Sequence, residues 1–89
     1  MEKIRRHFIF HGCVQGVGFR YTASCAARSR CISGWVRNLD DGSVEMEAEG
    51  TPADVEALVH SLENLRWGSV DRIESEDVPL HGDYSFEIL

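Results

Sequence analysis

Residues 3–11 alternate in the manner of a strand. Ile4, Phe8 and Phe10 share one face, with Arg6 in the same register. Arg6 is tolerable there near a strand end, where its stem lies on apolar surface and its head reaches water. Residues 21–30, rich in small side chains at Ala23, Ala26 and Ala27, predict a helix. Residues 32–38 predict a second strand, and Leu39-Asp40-Asp41-Gly42 a turn whose Asp-Gly pair signals a hairpin. Residues 43–49 carry the cleanest alternation: Val44, Met46 and Ala48 on one face, Glu45, Glu47 and Glu49 on the other. One face is expected to be buried and the other wet. Alternate strand residues lie ~6.6 Å apart, so the glutamates are expected to form a solvated stripe and not a chelating cluster.

A second helix opens at Thr51-Pro52-Ala53-Asp54, with Thr51 as N-cap, Pro52 as first helical residue and Asp54 in the first turn. Val55, Leu58, Val59, Leu62 and Leu65 recur at helical spacing, and Trp67-Gly68 is expected to end it. In residues 70–77 the apolar positions change phase between Val70 and Ile73, which predicts a bulge in a weaker strand. Residues 84–89 close the chain as a short strand with Phe86 and Ile88 on one face. The order β-α-β-β-α-β predicts a ferredoxin-like α+β sandwich: an antiparallel sheet with two helices on one face, and room for an extra short C-terminal strand.

Size and charge narrow the partners. The 89 residues suffice for one domain, spanning 1–89, and are too few for two. No apolar run approaches the ~20 residues of a membrane span, and the N-terminus lacks the apolar core of a secretory signal, so a cytoplasmic location is expected. The net charge of −6 argues against nucleic acid and anionic membranes as partners. Nothing in the pattern suggests an obligate dimer, so a monomer is expected. Cys13, Cys25 and Cys31 are odd in number and form no Cys-x-x-Cys, so neither a disulfide framework nor a zinc site is expected. They are expected to be small buried or half-buried thiols. His7 and His11 lie ~13 Å apart along a strand, too far to share a metal. These histidines, with His60 and His81, are expected to be structural or exposed, and Trp35 and Trp67 to be packing residues. Arg5 and Arg6 are expected to counter the acidic surface.

The stretch Gly12-Cys13-Val14-Gln15-Gly16-Val17-Gly18-Phe19-Arg20 carries the clearest chemistry. It joins a strand to a helix-like run through glycines and ends in an arginine. Strand, glycine loop and helix N-terminus build an anion cradle from main-chain N–H groups. Arg20 adds a permanent cation with a fork of donors suited to phosphate. An acidic protein that binds an anion must do so through such local geometry. A second element, Gly34-Trp35-Val36-Arg37-Asn38, precedes Gly42, Val44 and Gly50. In the predicted topology the loop after strand one and the residues of strand two converge at one edge of the sheet.

With these two motifs in order, nearly the whole chain resembles the acylphosphatase family, small metal-free hydrolases of acyl phosphates. That family has a Gly-x-Val-Gln-Gly-Val-x-Phe-Arg loop and a Gly-aromatic-Val-basic-Asn stretch leading into x-x-x-Gly-x-Val. The closing Asp83-Tyr84-Ser85 and Phe86-Glu87-Ile88 are also family-like. The resemblance implies that Arg20 binds the phosphoryl group with the loop amides of Gln15, Gly16, Val17, Gly18 and Phe19. It implies that Asn38 orients the attacking water, that no cofactor or metal is used, and that the partner is a small acyl phosphate. Cys13 stands where the family often has Arg or Lys, Cys31 where it usually has Gly to end the first helix, and Arg30 where it has an apolar residue. Cys31 would then adopt a left-handed conformation at a cost of ~1 kcal/mol.

Taken singly, each signal has a plainer reading. A glycine loop before a helix is often only a turn. Asn38 alone would read as a turn starter, and Phe19 as a residue packed beneath the loop. The joint pattern favours a site. The alternative is a non-catalytic acyl or carbamoyl phosphate-binding or regulatory module of the same fold. A ferredoxin-like RNA-binding module is disfavoured by the acidic charge.

Overall fold

The computed structural model describes residues 2–65 and 68–89. Seven elements run in the order β1 (Ile4–Cys13), α1 (Phe19–Ser29), β2 (Ser33–Asn38), β3 (Val44–Gly50), α2 (Pro52–Glu63), β4 (Ser69–Val78) and β5 (Phe86–Ile88). They form one five-stranded sheet in the order β4-β1-β3-β2-β5. The first four strands pair antiparallel, as expected of a ferredoxin-like sandwich. The expected purely antiparallel sheet needs one correction: β5 runs parallel to β2, so the sheet is mixed. The reason is topological. β4 and β5 lie at opposite edges, and residues 79–85 carry the chain across the sheet before β5 begins.

Phe8 and Phe10 of β1, Val36 of β2, and Val44, Met46 and Ala48 of β3 point toward the helices and are buried. Phe19, Ala23 and Ala27 of α1 and Val55, Leu58 and Leu62 of α2 meet them. The small residues of α1 let it lie close to the sheet. At α2 the sequence cues hold: Thr51 Oγ1 accepts the main-chain N–H of Asp54 (3.2 Å), and Pro52 sits in the first turn. This helix stops at Glu63, before the expected Trp67-Gly68, and Asn64 Nδ2 donates to the His60 carbonyl (2.8 Å). Trp67 itself lies outside the described residues. The predicted bulge is present: the β1–β4 register passes from His11↔Arg72 to Gly12↔Val70 and skips Asp71. Arg6 reaches along the sheet to β4, its Nη2 donating to Ser75 Oγ (3.2 Å).

The opposite sheet face corrects two expectations. Glu45, Glu47 and Glu49 do not form a solvated stripe, and Arg5 is not a surface countercharge. Arg5 is buried at 1% exposure and Glu49 at 4%. Register explains it, because Arg5 pairs with Glu49 across β1 and β3, and His7 with Glu47. Arg5 donates from Nε to Glu47 (2.6 Å) and from Nη1 to Glu49 (3.1 Å) and Asp83 (3.0 Å). Glu49 also accepts the main-chain N–H groups of His81 (2.7 Å) and Gly82 (3.2 Å). Glu45 takes Arg37 Nε (2.6 Å) and lies 2.7 Å from His7 Nε2. Trp35 packs between these groups, with the Arg37 guanidinium 5.4 Å from its ring centre and His7 edge-on.

The cysteines supply a third correction, since all three are exposed. Cys13 closes β1 beyond the core, Cys25 lies on α1 away from its buried stripe of Phe19, Ala23, Ser24 and Ala27, and Cys31 follows the helix end. Cys31 has φ 55°, a left-handed value. The main-chain N–H of Ile32 reaches the Ala27 carbonyl (2.9 Å) and that of Cys31 reaches Arg28 (3.3 Å), the paired bonds of a Schellman helix end. Arg30 leans from this end to Asp54 of α2 (3.3 Å).

Two stability outcomes follow. Cys31→Gly removes the left-handed penalty without emptying any core space, and it is expected to raise unfolding free energy by about 1 kcal/mol in urea titration. An unchanged or lower midpoint would contradict this account of the helix end. Arg5→Met strands the buried Glu49 carboxylate and is expected to cost about 3–5 kcal/mol at neutral pH. Burial alone would raise the Glu49 pKa, but the His81 amide, Arg5 and the Gly82 amide outweigh it and hold it below its ordinary value. A depressed carboxylate contributes stability above its unfolded pKa, here about 4.5, and loses it as pH falls through the lower folded value. The penalty of Arg5→Met should therefore shrink in urea titrations repeated toward pH 3; a penalty constant with pH would refute the ion-pair account.

Candidate active site

The glycine loop folds as its residue types require. Gly16 and Gly18 have φ of 74° and 78°, and a Cβ at either position would meet no atom within 4 Å. Glycine is thus demanded by backbone conformation, while the space above both residues stays open. Gly18 is the N-cap of α1, which therefore begins at Phe19, two residues before the sequence signal suggested. The first intrahelical bond runs from Thr22 N–H to the Gly18 carbonyl (2.9 Å). The N–H groups of Phe19, Arg20 and Tyr21 consequently have no partner within the helix.

The two helices differ at this end. α2 is capped by Thr51 and has Asp54 in its first turn. α1 has no side-chain cap and no acidic residue in its first turn. Its partial positive charge and free N–H groups remain available to an external anion. Phe19 is buried beneath the loop, its ring 5.0 Å from that of Phe10, as expected for the residue that holds the loop down.

A cavity of about 230 Å³ opens here. Gly16, Gly18 and Arg20 from the loop and first helical turn line it together with Asn38 from the end of β2. Val14 and Phe19 form its buried floor, and Tyr21 and Ile88 its exposed rim. The structure thus brings Arg20 and Asn38 to one opening although they lie on different elements. Gln15 and Val17 belong to the same loop but do not line the cavity. The Arg20 guanidinium approaches the Leu89 main-chain oxygen (3.4 Å), so the segment after β5 steadies it. A wider groove of about 680 Å³ between α2 and β4 contains neither motif. Among the described residues, no group of three or more His, Cys, Asp or Glu could hold a metal ion.

The side chain of Gln15 has a part that no residue pattern signals. Its Nε2 donates to the carbonyls of Leu39 (2.7 Å) and Ser43 (2.9 Å). These residues flank the hairpin turn that follows Asn38, so Gln15 ties the loop to the strand end that carries Asn38. The turn is itself braced. Ser43 donates its main-chain N–H (2.9 Å) and hydroxyl to Asp41, and these bonds, the hydroxyl first, hold the Asp41 pKa below its ordinary value.

Comparison with known proteins places the chain in a family. The family model described as acylphosphatase matches residues 6–88. The chain belongs to the acylphosphatase family. An acylphosphatase of Bifidobacterium longum is 46% identical over 78 residues, which cover 86% of this chain and 80% of that one. An acylphosphatase of a Synechococcus strain is 43% identical over 88 residues, covering 98% and 94%. The crystal structure of acylphosphatase from Bacillus subtilis superposes with a TM-score of 0.92 at 36% identity and covers 97% of this chain and 98% of its own. As an acylphosphatase the chain is a hydrolase on a ferredoxin-like α+β scaffold.

Removing the Gln15 tether should register in stability. Gln15→Ala removes one of the two donors on each of these carbonyls, Gly42 N–H remaining on Leu39 and Leu39 N–H on Ser43, and the two lost bonds are expected to cost about 1–2 kcal/mol. Gln15→Glu is expected to cost more, because a carboxylate then faces two carbonyl oxygens. Thermal unfolding of the three proteins at pH 7 checks this order, and a Glu variant as stable as the parent would refute the tether.

Proposed function

We propose that this protein hydrolyses acyl phosphates, the mixed anhydrides of a carboxylic acid and phosphoric acid. Arg20 and the main-chain N–H groups of residues 15–19 bind the phosphoryl group, and Asn38 orients the attacking water. The observation that carries the reading is the convergence of Arg20, Asn38, Gly16 and Gly18 on one cavity at the uncapped, positive end of α1.

The chemistry suits such a sparse site. The water oxygen forms a bond to phosphorus as the bond from phosphorus to the acyl oxygen breaks. The carboxylate leaves with the electron pair and needs no proton, because the pKa of its conjugate acid lies well below neutral pH. The proton of the water passes to a phosphate oxygen of the substrate. A neutral amide cannot serve as a strong base, so the part of Asn38 is to fix the direction of attack. Phosphoryl transfer needs positioning and charge stabilisation above all, and Arg20 in a cradle of N–H groups supplies the charge.

The same reading takes the protein as a cytoplasmic monomer acting on a small anion without nucleic acid. Support comes from the net charge of −6 and from the described residues, where no helix is long and apolar enough to cross a membrane.

Hydrolysis of benzoyl phosphate in the presence of EDTA tests the roles. Arg20→Gln is expected to lower kcat/KM by roughly 10³-fold or more. Asn38→Ala is expected to lower kcat by roughly 10²-fold or more with KM little changed. A folded parent protein that binds phosphate but does not turn over would instead indicate a non-catalytic binding module. Variants as active as the parent would remove both residues from the mechanism.

A further inference from the structure

The cavity has two chemically distinct sides. Gly16, Gly18, Arg20 and Asn38 make one side, which the proposed reaction assigns to the phosphoryl group and the water. Tyr21 and Ile88 make the other side and are left without a task. Both are exposed, Tyr21 at 71% and Ile88 at 44%. They come from different elements, the first turn of α1 and the end of β5, and both line this opening. Exposed apolar surface grouped at a cavity mouth marks a contact for a ligand.

The size of the cavity points the same way. At about 230 Å³ it is below the ~300–1,000 Å³ of sites that enclose a drug-sized molecule. A phosphoryl group held in the cradle leaves its acyl substituent at the mouth, across the rim. There the substituent meets a phenol ring and a branched aliphatic chain.

Charge narrows the class. Arg20 is the one charged residue lining the cavity among the described residues, and the phosphoryl group takes it. A carboxylate on the acyl group would find no second cation there. The chain as a whole, of net charge −6, offers such a carboxylate no compensating field. Tyr21 itself stays uncharged at neutral pH: the Cys25 thiol one turn on, by hydrogen bonding, raises its phenol pKa above the ordinary value.

We infer that Tyr21 and Ile88 form an apolar seat for the acyl group, selecting acyl phosphates with an uncharged aromatic or aliphatic substituent over minimal or carboxylate-bearing ones. The inference rests on the acyl phosphate reading of the site and deepens it to a substrate class.

The test separates the seat from catalysis by using two non-hydrolysable analogues, phenacylphosphonate and acetonylphosphonate, in which a methylene replaces the bridging oxygen. Their dissociation constants are measured by calorimetry for the parent, Tyr21→Ala, Tyr21→Phe, Ile88→Ala and Arg20→Gln. The parent is expected to bind the phenacyl compound about five- to tenfold more tightly than the acetonyl one, as partial burial of one ring implies. Tyr21→Ala is expected to reduce that ratio to about one- to twofold, Ile88→Ala to reduce it partly, and Tyr21→Phe to keep it. Arg20→Gln is expected to weaken both ligands and leave the ratio.

In turnover, the KM ratio of acetyl to benzoyl phosphate should fall with Tyr21→Ala while kcat for benzoyl phosphate holds within about twofold. A residue with a merely structural role would shift both ligands together and leave the ratio as it was. An unchanged ratio in Tyr21→Ala, a ratio lost equally in Tyr21→Phe, or a parent with equal affinity for both analogues overturns the seat. Succinyl phosphate bound as tightly as benzoyl phosphate overturns the charge selection. Selective analogue binding without turnover leaves the seat standing and overturns the hydrolase reading, so the two failures are distinguishable.

Discussion

One buried guanidinium decides where the end of the chain lies. Arg5 holds Glu47 and Glu49 of β3 and Asp83 of the β4–β5 connection, while Glu49 grips the His81 and Gly82 amides. β4 and β5 occupy opposite edges of the sheet, so residues 79–85 must cross its open face. That crossing has few apolar side chains to hold it down, and the ion-pair network fixes its path instead. The β5 strand then aligns with β2 through Gly34↔Phe86, the Gly34 N–H donates to Ser85, and Leu89 reaches Arg20. Compared with a well-packed apolar substitute, a buried ion cluster adds little net stability. Its value here is positional: it joins the far end of β1 to the rim of the cavity lined by Arg20 and Asn38.

The cavity depends on a second division of labour. Two helices with similar surroundings end differently, one capped by its own side chains and one left uncapped behind glycine. The uncapped end costs α1 local stability, which the burial of Phe19 against Phe10 and the Gln15 tether offset. The tether matters because cradle and strand end approach from different elements. Without a link between loop and hairpin, the two halves of the cavity would be free to drift by the fraction of an ångström that phosphoryl transfer does not tolerate.

Much of this was legible in the chain. The period-two run at residues 43–49, the capping signal at Thr51 and the phase change between Val70 and Ile73 each correspond to an observed strand, cap or bulge. The glycines of the loop and of the Gly34–Asn38 stretch were legible because they answer to a local rule, positive φ. What escaped was whatever depends on a partner far along the chain. Arg5 and the three glutamates look like surface residues by type, and only register together with the crossing of residues 79–85 buries Arg5 and Glu49 and half-buries Glu45 and Glu47. Gln15 looks like one more polar loop residue until the hairpin carbonyls stand opposite it. The parallel pairing of β5 follows from the path of a connection, for which local periodicity carries no signal.

An acidic chain that binds an anion must keep its own carboxylates from the site. Here the three carboxylates of β3 face away from the helices, where Arg5, His7 and Arg37 bond to them. Burial would by itself raise the pKa of Glu45, but its bonds to His7 and Arg37 prevail and keep it ionised and paired. Arg5 and Arg37 neutralise part of this charge, and the sheet separates the rest from the mouth of the cradle. The potential at the cradle is then set by nearby groups, the α1 N-terminus and Arg20. Specificity therefore comes from short-range geometry. The net charge of −6, by the same logic, slows the encounter with any substrate anion and makes its rate rise with ionic strength.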